Sequence, residues 1–299
     1  MRKLCEYLIV VGGVRLLLAL PRPIALRLGE GLGRLAFALY RPRRAVALRN
    51  LALAFPEWPA PERQRVAAAS FAHLGRMVAE VCHFPRLAHA GLRGIVSYEG
   101  LEHYLAARAR GRGVILMTGH FGAWELSAFA HARNGHPSTV VVRALANRRV
   151  DTLVNRLRGL SGNRLIERKQ ALRKLLAGLR QGESVAALID QNVAAREGVF
   201  VEFFGRPACT TPGLAALARL SGAPVLPTFL VTDRATDTYR LIFEPEVELA
   251  RTGDPEADDR TNTARFIGVL EAYVRKEPEL YFWAHRRWKT RPAGEPPIY

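Results

Sequence analysis

Short apolar runs alternate with helical patterns along most of the sequence after residue 113, and this alternation constrains the fold more than any other feature. The runs that predict strands are GVILMT, STVVVR, ESVAALID, VFVEFF, PVLPTFLVT and YRLIFE. The segments that predict helices are Phe121–Arg133, Arg149–Leu160, Ala171–Arg180, TPGLAALARL and Thr263–Lys276. Strands that alternate with helices predict an α/β protein in which helices cover a central sheet.

The first 55 residues have a different pattern, because they are both strongly apolar and basic. The stretch Tyr7–Leu20 is the most hydrophobic of the sequence, but it holds only fourteen residues with Arg15 among them, whereas a membrane-spanning helix needs about 20 apolar residues. No small-residue cleavage site of a signal peptide follows it. We interpret residues 1–55 as an uncleaved, amphipathic membrane-anchoring segment, which either crosses the bilayer or lies in its interface. An ordinary helical subdomain that covers the α/β core is the alternative.

A stretch rich in helix breakers, PEWPAPERQ (Pro56–Gln64), separates this segment from the rest of the chain. The sequence thus predicts two units, the anchoring segment over residues 1–55 and an α/β domain over residues 56–299. Apolar residues between positions 71 and 81 recur at helical spacing, which predicts a helix that ends before Pro85.

The charge balance narrows the class of partner. The 44 Lys and Arg residues outnumber the 27 Asp and Glu residues, which gives a net charge of +17 and favours a polyanionic partner. Residues 1–50 contain ten of these bases and only two acids, and the bases are interleaved with aliphatic residues. This composition is typical of a segment that lies on an anionic membrane, so we expect membrane lipids and not nucleic acid as partners. The three cysteines lack a metal-ligand spacing, so we expect reduced thiols and no metal site.

A histidine between two glycines follows the first of the apolar runs. In GHFGAWELSA, Gly119 and Gly122 flank His120, and Glu125 lies five residues after the histidine. Loops at strand ends usually present the reacting groups, and glycines permit an unusual backbone and the close approach of a ligand. With His120 on the loop and Glu125 one turn inside the following helix, the pair suits a general base whose second ring nitrogen is held by a carboxylate. A surface histidine near a solvated glutamate is the simpler alternative.

The same stretch resembles the His-x4-acid motif of the bacterial lipid A late acyltransferases, within the wider glycerolipid acyltransferase group. The resemblance extends over almost the whole chain, because four further blocks occur in the family's order. These blocks are VVVRALANRRVDTLVNRLRG, ERKQALRKLLAGLRQGESVAALIDQN, VFVEFFGRPACTTPGLAALARLSGAPVLP and YFWAHRRWKTRP. The resemblance implies an α/β fold with a mixed central sheet flanked by helices, and an acyltransferase domain over residues 56–299.

The resemblance also implies an activity. Family members transfer a fatty acyl chain from acyl carrier protein, or sometimes acyl-CoA, to a hydroxyl of a glycolipid such as a lipid A precursor, at the cytoplasmic face of the bacterial inner membrane. The family's catalytic pair falls on His120 and Glu125, its functional arginine on Arg158, and the aspartate after its next buried strand on Asp190. No cofactor is implied beyond the acyl-carrier-protein or acyl-CoA co-substrate.

Several candidate residues have more than one interpretation. Arg158 is expected to contact a phosphate or the thioester, although a solvated helix face also contains such arginines. Asp190 fits a turn or helix cap as well as a role in orienting Arg158 or a substrate group. Arg206, in a Gly-Arg-Pro turn, is a lesser candidate for substrate contact. The donors for a tetrahedral oxyanion are either backbone N–H groups near Gly122 or the guanidinium of Arg158. The basic segment His285–Arg291 is expected to bind an acidic carrier protein or glycolipid phosphates, with a solvated terminus as the alternative.

Three functions are compatible with these observations. The first is acyl transfer to a hydroxyl of a lipid A precursor, with His120 as general base oriented by Glu125. The second is the same chemistry on another glycolipid or on an aminolipid. The third is a non-catalytic basic protein that binds a membrane surface or nucleic acid, which explains the charge but not the placement of His120 between glycines at a strand end.

Overall fold

The structure is a computed structural model that describes residues 1–167, 171–233 and 235–299. Residues 168–170, at the start of the ERKQ block, lie outside the described residues. Strands and helices alternate from Val96 to Phe243, as the apolar runs predict.

The strands form one central sheet and one small hairpin. The strands of the sheet are β1 (Val96–Glu99), β2 (Val114–Thr118), β3 (Ser138–Val142), β4 (Arg164–Glu167), β5 (Ser184–Leu188), β8 (Val225–Asp233) and β9 (Thr238–Phe243), and those of the hairpin are β6 (Val199–Phe203) and β7 (Arg206–Thr210). Their order in the sheet is β1-β9-β8-β2-β5-β3-β4. Strands β8, β2, β5, β3 and β4 are parallel to one another, whereas β9 is antiparallel to β8 and β1 runs with β9. The predicted α/β fold with a mixed sheet is confirmed.

Helices precede the sheet and cover both of its faces. The helices of the described residues are α1 (Arg2–Ala19), α2 (Arg22–Leu39), α3 (Arg41–Ala54), α4 (Ala60–Ala90), α5 (Leu101–Ala109), α6 (Trp124–Arg133), α7 (Arg148–Gly159), α8 (Ala171–Arg180), α9 (Gly213–Ser221) and α10 (Pro255–Lys276). On one face, Leu116 and Leu226 pack with Phe129 of α6 in a hydrophobic core. On the other, Ile115 and Met117 pack with side chains of α8, α9 and α10. Because successive strand residues point to opposite sides, these cores define an α6 face and an α9 face of the sheet.

The amino-terminal helices lie close to α4. Helices α2 and α4 cross at glycines, since Gly29 and Gly33 of α2 lie against Gly75 of α4, and a Cβ atom on Gly33 would be 2.1 Å from the backbone oxygen of Phe71. Helix α3 buries Leu51 in the core of the α9 face. Among the described residues, no helix combines the length and the apolar character that crossing a membrane requires. The division of the chain at residue 55 and the membrane contact of residues 1–55 stay predictions.

One helix extends beyond its predicted end. Helix α4 continues through Pro85 to Ala90, so the prediction that it ends before the proline is wrong. A proline inside a helix removes one backbone hydrogen bond and crowds the preceding turn. Phe84 and Leu87, on either side of Pro85, are nonetheless buried in the core of the α6 face. Their burial outweighs the local cost of the proline.

Candidate active site

His120 and Asp190 meet at the carboxyl edge of the sheet. Strands β2 and β5 are parallel neighbours whose pairing ends with Thr118 opposite Leu188, and His120 and Asp190 each lie two residues further along. The Nδ1 atom of His120 is 2.8 Å from Oδ1 of Asp190, and the backbone N–H of His120 donates to the same oxygen at 3.0 Å. Two adjacent strand ends therefore fix both the backbone and the ring of the histidine.

The charge of Asp190 determines which ring nitrogen of His120 carries the proton that lies between the two side chains. Burial alone raises the pKa of Asp190, but the neighbouring His120 ring and the cation of Arg287 outweigh it and hold the pKa well below its ordinary value. An ionised carboxylate only accepts hydrogen bonds, so Nδ1 of His120 carries the proton and donates. In the neutral form of the ring the lone pair is then on Nε2, which lies 3.1 Å from the side-chain amide nitrogen of Gln191. That form of His120 presents a hydrogen-bond acceptor on the side of the ring opposite Asp190.

Glu125 does not hold the His120 ring; it binds Arg158. The Nε and Nη2 atoms of Arg158 donate to the two carboxylate oxygens of Glu125 at 2.9 and 2.5 Å, and Nη1 of Arg158 is 3.4 Å from Oδ1 of Asn155. The hypothesis that Glu125 orients His120 is therefore wrong, because both oxygens of Glu125 face a guanidinium and the ring is held by Asp190 instead. Asp190 likewise orients His120 and not Arg158.

The catalytic candidates line one cavity of about 880 Å³. His120, Glu125 and Arg158 all contribute to its wall, together with aliphatic side chains from both faces of the sheet. The exposed loop 143–146 also lines the cavity, so the cavity reaches the surface. A crevice outside the carboxyl ends of parallel strands is the usual place for a ligand in such sheets.

Gly122 is required by the backbone at this site. Its φ angle is +62°, and a Cβ atom on it would lie 2.1 Å from the backbone oxygen of Leu230. Its N–H donates to the carbonyl of Leu280 at 3.0 Å, and the N–H of Ala123 donates to the carbonyl of Leu230 at 2.9 Å. These two backbone groups are already bonded, so they do not serve as oxyanion donors. Of the two sources expected from the sequence, Arg158 is the one that lines the cavity.

Two residues beside Asp190 were not anticipated from the sequence. Gln191 lies against Nε2 of His120 and lines the cavity. Asn192 also lines it, and its backbone N–H donates to Nε2 of His285 at 3.0 Å. Burial lowers the pKa of His285 to about 4, so this ring is neutral near neutral pH. Their position could have indicated them, because Gln191 and Asn192 closely follow a buried strand, as His120 does.

Arg206 is not brought to the cavity. It lies at the start of β7, and its Nε atom donates to the carbonyl of Leu53 at 3.3 Å. Among the described residues, the cavity wall includes other members of the FFGRPACTTPG stretch, such as Thr211 and Gly213, but not Arg206. A role for this residue in substrate contact has no support from its position.

The basic carboxyl-terminal segment is partly buried. Arg287 and Trp288 are almost fully inaccessible, and Arg287 donates to Oγ1 of Thr210 at 2.6 Å. The alternative of a solvated terminus is therefore wrong for these two residues, and Arg287 is not free to bind a carrier protein. Arg286 and Lys289 are exposed and are therefore accessible to a carrier protein.

The cysteines lie outside the catalytic cluster. Cys82 and Cys209 are buried and Cys5 is exposed, and burial raises the pKa of Cys82 to about 11. No group of three or more His, Cys, Asp or Glu side chains within the described ranges is arranged to hold a metal ion. Among the described side chains that line the cavity there is no cysteine.

Comparison with known proteins identifies the family. The sequence profile described as bacterial lipid A biosynthesis acyltransferase matches residues 1–290. The lipid A biosynthesis lauroyltransferase of Escherichia coli (strain K12) is 34% identical over 296 residues, which cover 97% of this chain and 93% of that protein. The palmitoleoyltransferase of the same organism is 31% identical over 290 residues, which cover 97% of this chain and 92% of that protein. These relatives are enzymes, which contradicts the alternative of a non-catalytic binder. The chain belongs to the bacterial lipid A biosynthesis acyltransferase family and is an acyltransferase.

Proposed function

We propose that this protein transfers a fatty acyl chain from acyl carrier protein, or from acyl-CoA, to a hydroxyl of a lipid A precursor. One observation carries the proposal: His120, whose Nδ1 atom is bonded to Asp190 so that Nε2 lies on the opposite side of the ring, lines a large cavity with mainly aliphatic walls. The names of the relatives, which are lipid A biosynthesis lauroyl- and palmitoleoyltransferases, support the acceptor.

His120 acts as the general base in this proposal. Its Nε2 atom removes the proton of the acceptor hydroxyl while the oxygen attacks the thioester carbonyl, so that a C–O bond forms and the C–S bond then breaks. The imidazolium gives its proton to the departing thiolate, and no residue is covalently modified. Asp190 stabilises the imidazolium as it forms. A positioned base of this kind contributes on the order of 10²–10⁴ in rate.

Arg158 stabilises the negative charge that develops on the thioester oxygen. Arg158 lines the same cavity as His120. Its side chain is about three-quarters buried, with 23% exposed, so its charge acts in a medium of reduced dielectric. Glu125 positions the guanidinium through the two hydrogen bonds between them. Glu125 is thus a positioning residue in the reaction.

An apolar stripe on α2 supports contact with the bacterial inner membrane at its cytoplasmic face. Five large aliphatic residues recur every three or four positions along this helix and are all exposed: Ile24, Leu28, Leu32, Leu35 and Leu39. The opposite side of α2, with Gly29 and Gly33, packs against α4. The exposed bases Arg27 and Arg34 flank the stripe. Soluble monomers rarely expose a large continuous apolar patch, and a basic helix with an apolar face suits an anionic membrane.

The N-terminal helix α1 connects this region to the cavity. The side chain of Asn147 donates to the carbonyl of Lys3 at 2.7 Å and to Glu6 at 3.1 Å. Asn147 directly follows the exposed loop 143–146 that lines the cavity. A membrane on which α1 rests would thus lie next to that loop, where a lipid substrate has a short path to His120.

Replacement of His120 by glutamine tests the reaction. We expect His120→Gln to lower acyl transfer in isolated membranes by about 10²–10⁴-fold, measured by mass spectrometry of the acyl-acceptor product. His89→Gln, at an exposed histidine near the end of α4, is the matched control and is expected to keep wild-type activity. Near-normal transfer by His120→Gln would exclude the proposed base.

The acceptor is tested by mass spectrometry of cellular lipids. Another glycolipid or an aminolipid is compatible with the same base, so lipids from cells with and without the protein are compared by mass. The mass that is missing without the protein identifies the chain and its acceptor. A missing species that is not a lipid A derivative would shift the acceptor to the alternative class and leave the chemistry in place.

A further inference from the structure

The cavity lined by His120 extends over both faces of the central sheet. Strands β3 and β5 are parallel neighbours, but their pairing ends with Val140 opposite Ala186. Beyond that point β5 still pairs with β2 up to Leu188 and β3 with β4 up to Val142, so β3 and β5 separate towards their carboxyl ends. The cavity is lined by residues on both sides of this gap. It therefore consists of two lobes that join at the carboxyl edge of the sheet.

The first lobe lies on the α6 face, between the sheet and α6. Its wall includes Leu116, Ala128, Ser138 and Ala186, and small side chains from strand and helix face one another across it. His131, a residue that is 2% exposed, lines the lobe near the carboxyl end of α6, far from the carboxyl edge of the sheet. Measured along β3 from Val142 to Ser138, this α6 lobe is four residues deep, or about 13 Å at the usual strand rise.

The floor of the α6 lobe is polar. Burial lowers the pKa of His131 to about 3, so this ring is neutral. Its Nε2 atom is one of the buried polar atoms without a hydrogen-bond partner in the described part of the chain, and Ser127 and Ser138 line the lobe nearby. A hydrocarbon that reached this floor would prevent any water from hydrating these groups, which is unfavourable. The lobe thus sets a limit on chain length.

The second lobe lies on the α9 face, between the sheet and helices α8 and α9. Its wall includes Ala187 on β5, Leu175 on α8, and Leu214 and Leu217 on α9, and it is almost entirely apolar. It is open along one side, because Leu172 lines it and is 47% exposed. This α9 lobe therefore admits a chain that remains attached to a larger molecule outside.

We propose that the two lobes bind two different hydrocarbon chains, the acyl group of the donor in the α6 lobe and an acyl chain of the acceptor lipid in the α9 lobe. The assignment rests on the proposed function, in which two lipids must lie at His120 at the same time. The α6 lobe suits the transferred chain, because its polar floor would limit the length of a chain bound there. Its depth of about 13 Å corresponds to about ten bonds of an extended alkyl chain, which advances about 1.25 Å per bond. The open lobe suits the acceptor, which stays in contact with the membrane.

Two adjacent alanines of β5 give a matched pair of variants. Ala186 lines the α6 lobe and Ala187 the α9 lobe, and they differ in which face of the sheet they point to. Ala186→Leu is expected to lower kcat/KM for the longest good donor by about tenfold or more relative to shorter donors, with the KM for acceptor unchanged. Ala187→Leu is expected to raise the KM for acceptor by about tenfold, with the order of donor preference unchanged.

The assay uses the full chain in detergent micelles, with acyl carrier protein loaded with chains from octanoyl to palmitoyl. The acceptors have the same headgroup and either long or short acyl chains. For Ala187→Leu, the short-chain acceptor is expected to be used as well as by the wild type. Ala128→Leu on α6 and Ala216→Leu on α9 repeat the comparison from the helix side of each lobe, and thermal unfolding identifies any variant that does not fold.

The outcomes separate the two proposals. If the wild type transfers no acyl chain from any donor, the proposed function fails. If the wild type is active but variants of both lobes change donor preference, or those of the α9 lobe change nothing, the assignment of the lobes alone is overturned. If variants of the α9 lobe change donor preference and variants of the α6 lobe raise the KM for acceptor, the donor chain lies on the α9 face and the assignment is also overturned.

Discussion

The two carboxylates of the candidate active site bind different partners, so we expect them to have different roles. Asp190 binds Nδ1 of His120 and is nearly fully buried. Glu125 binds the guanidinium of Arg158. We expect the loss of either carboxylate to lower the rate, but only the loss of Asp190 removes the group that holds the ring of His120.

Asp190→Asn is expected to lower kcat by about 10⁴-fold, as for the corresponding change in a Ser-His-Asp triad, because an amide allows the wrong ring tautomer and no longer stabilises the imidazolium. Glu125→Gln removes the charge that positions Arg158 and is expected to lower kcat by about 10²–10³-fold, a smaller loss than that of Asp190→Asn. Steady-state acyl transfer measures both variants. Equal losses of kcat in the two variants would contradict the assigned roles.

The sequence identified His120 but not its partner. His120 was found because it follows a buried run and lies between glycines, and both features reflect local backbone requirements. The partner depends on which strands are neighbours: β5 follows β2 by 66 residues of chain, from Thr118 to Ser184, yet lies next to it in the sheet. Glu125 was near in sequence, and its position on the first turn of α6 directs it to Arg158 instead. Local patterns do not contain this information.

At the scale of elements, the contact of α2 with α4 depends on glycines that leave room for backbone against backbone. A Cβ atom on Gly33 would lie 2.1 Å from the backbone oxygen of Phe71, whereas Gly31, two residues earlier on the same helix, has no atom within 4 Å of that position. Gly33 therefore packs against α4, whereas Gly31 on the same helix does not, so the two glycines form a matched pair for substitution.

Alanine substitution at these positions tests the contact. Gly33→Ala is expected to lower the free energy of unfolding by about 1–3 kcal/mol, because α2 and α4 must move apart. Gly31→Ala is expected to raise it by up to about 1 kcal/mol, since alanine favours the helix. Urea unfolding followed by circular dichroism measures both. Equal stability of the two variants would mean that the helices do not approach as closely as described here.

The strands of the sheet were predictable because buried strands appear in the sequence as runs of apolar residues. The runs GVILMT and ESVAALID correspond to β2 and β5 with boundaries moved by one or two residues. The helix α4 was predicted too short, because a local rule about Pro85 does not include the burial of Phe84 and Leu87 by the sheet. Strand order and the gap between β3 and β5 were not predictable, since both depend on long-range packing.

At the scale of the whole molecule, the net charge of +17 and the exposed apolar stripe of α2 act together. In the proposed membrane contact, the charge would draw the protein to an anionic surface over a distance set by the ionic strength. The stripe would then contribute hydrophobic free energy on entering the interface. Electrostatic attraction alone would disappear at high salt, whereas the apolar contribution would not.

Leu32→Asp combined with Leu35→Asp places charges in the middle of the stripe, at side chains that are 50% and 51% exposed. We expect this variant to keep its fold and to lose most of its binding to phosphatidylglycerol vesicles, measured by co-sedimentation. Leu105→Asp combined with Leu220→Asp, at exposed leucines of α5 and α9, is the matched control and is expected to bind like the wild type.

Salt separates the two contributions in the same experiment. From about 0.1 to about 1 M salt the screening length falls from about 10 to about 3 Å, so wild-type binding to phosphatidylglycerol is expected to weaken but to persist through the stripe. The stripe variant is expected to lose its residual binding completely, because only its charge is left. If both double variants bind equally well at low and at high salt, the membrane contact is made by another surface and the orientation proposed for the cavity would have to be abandoned.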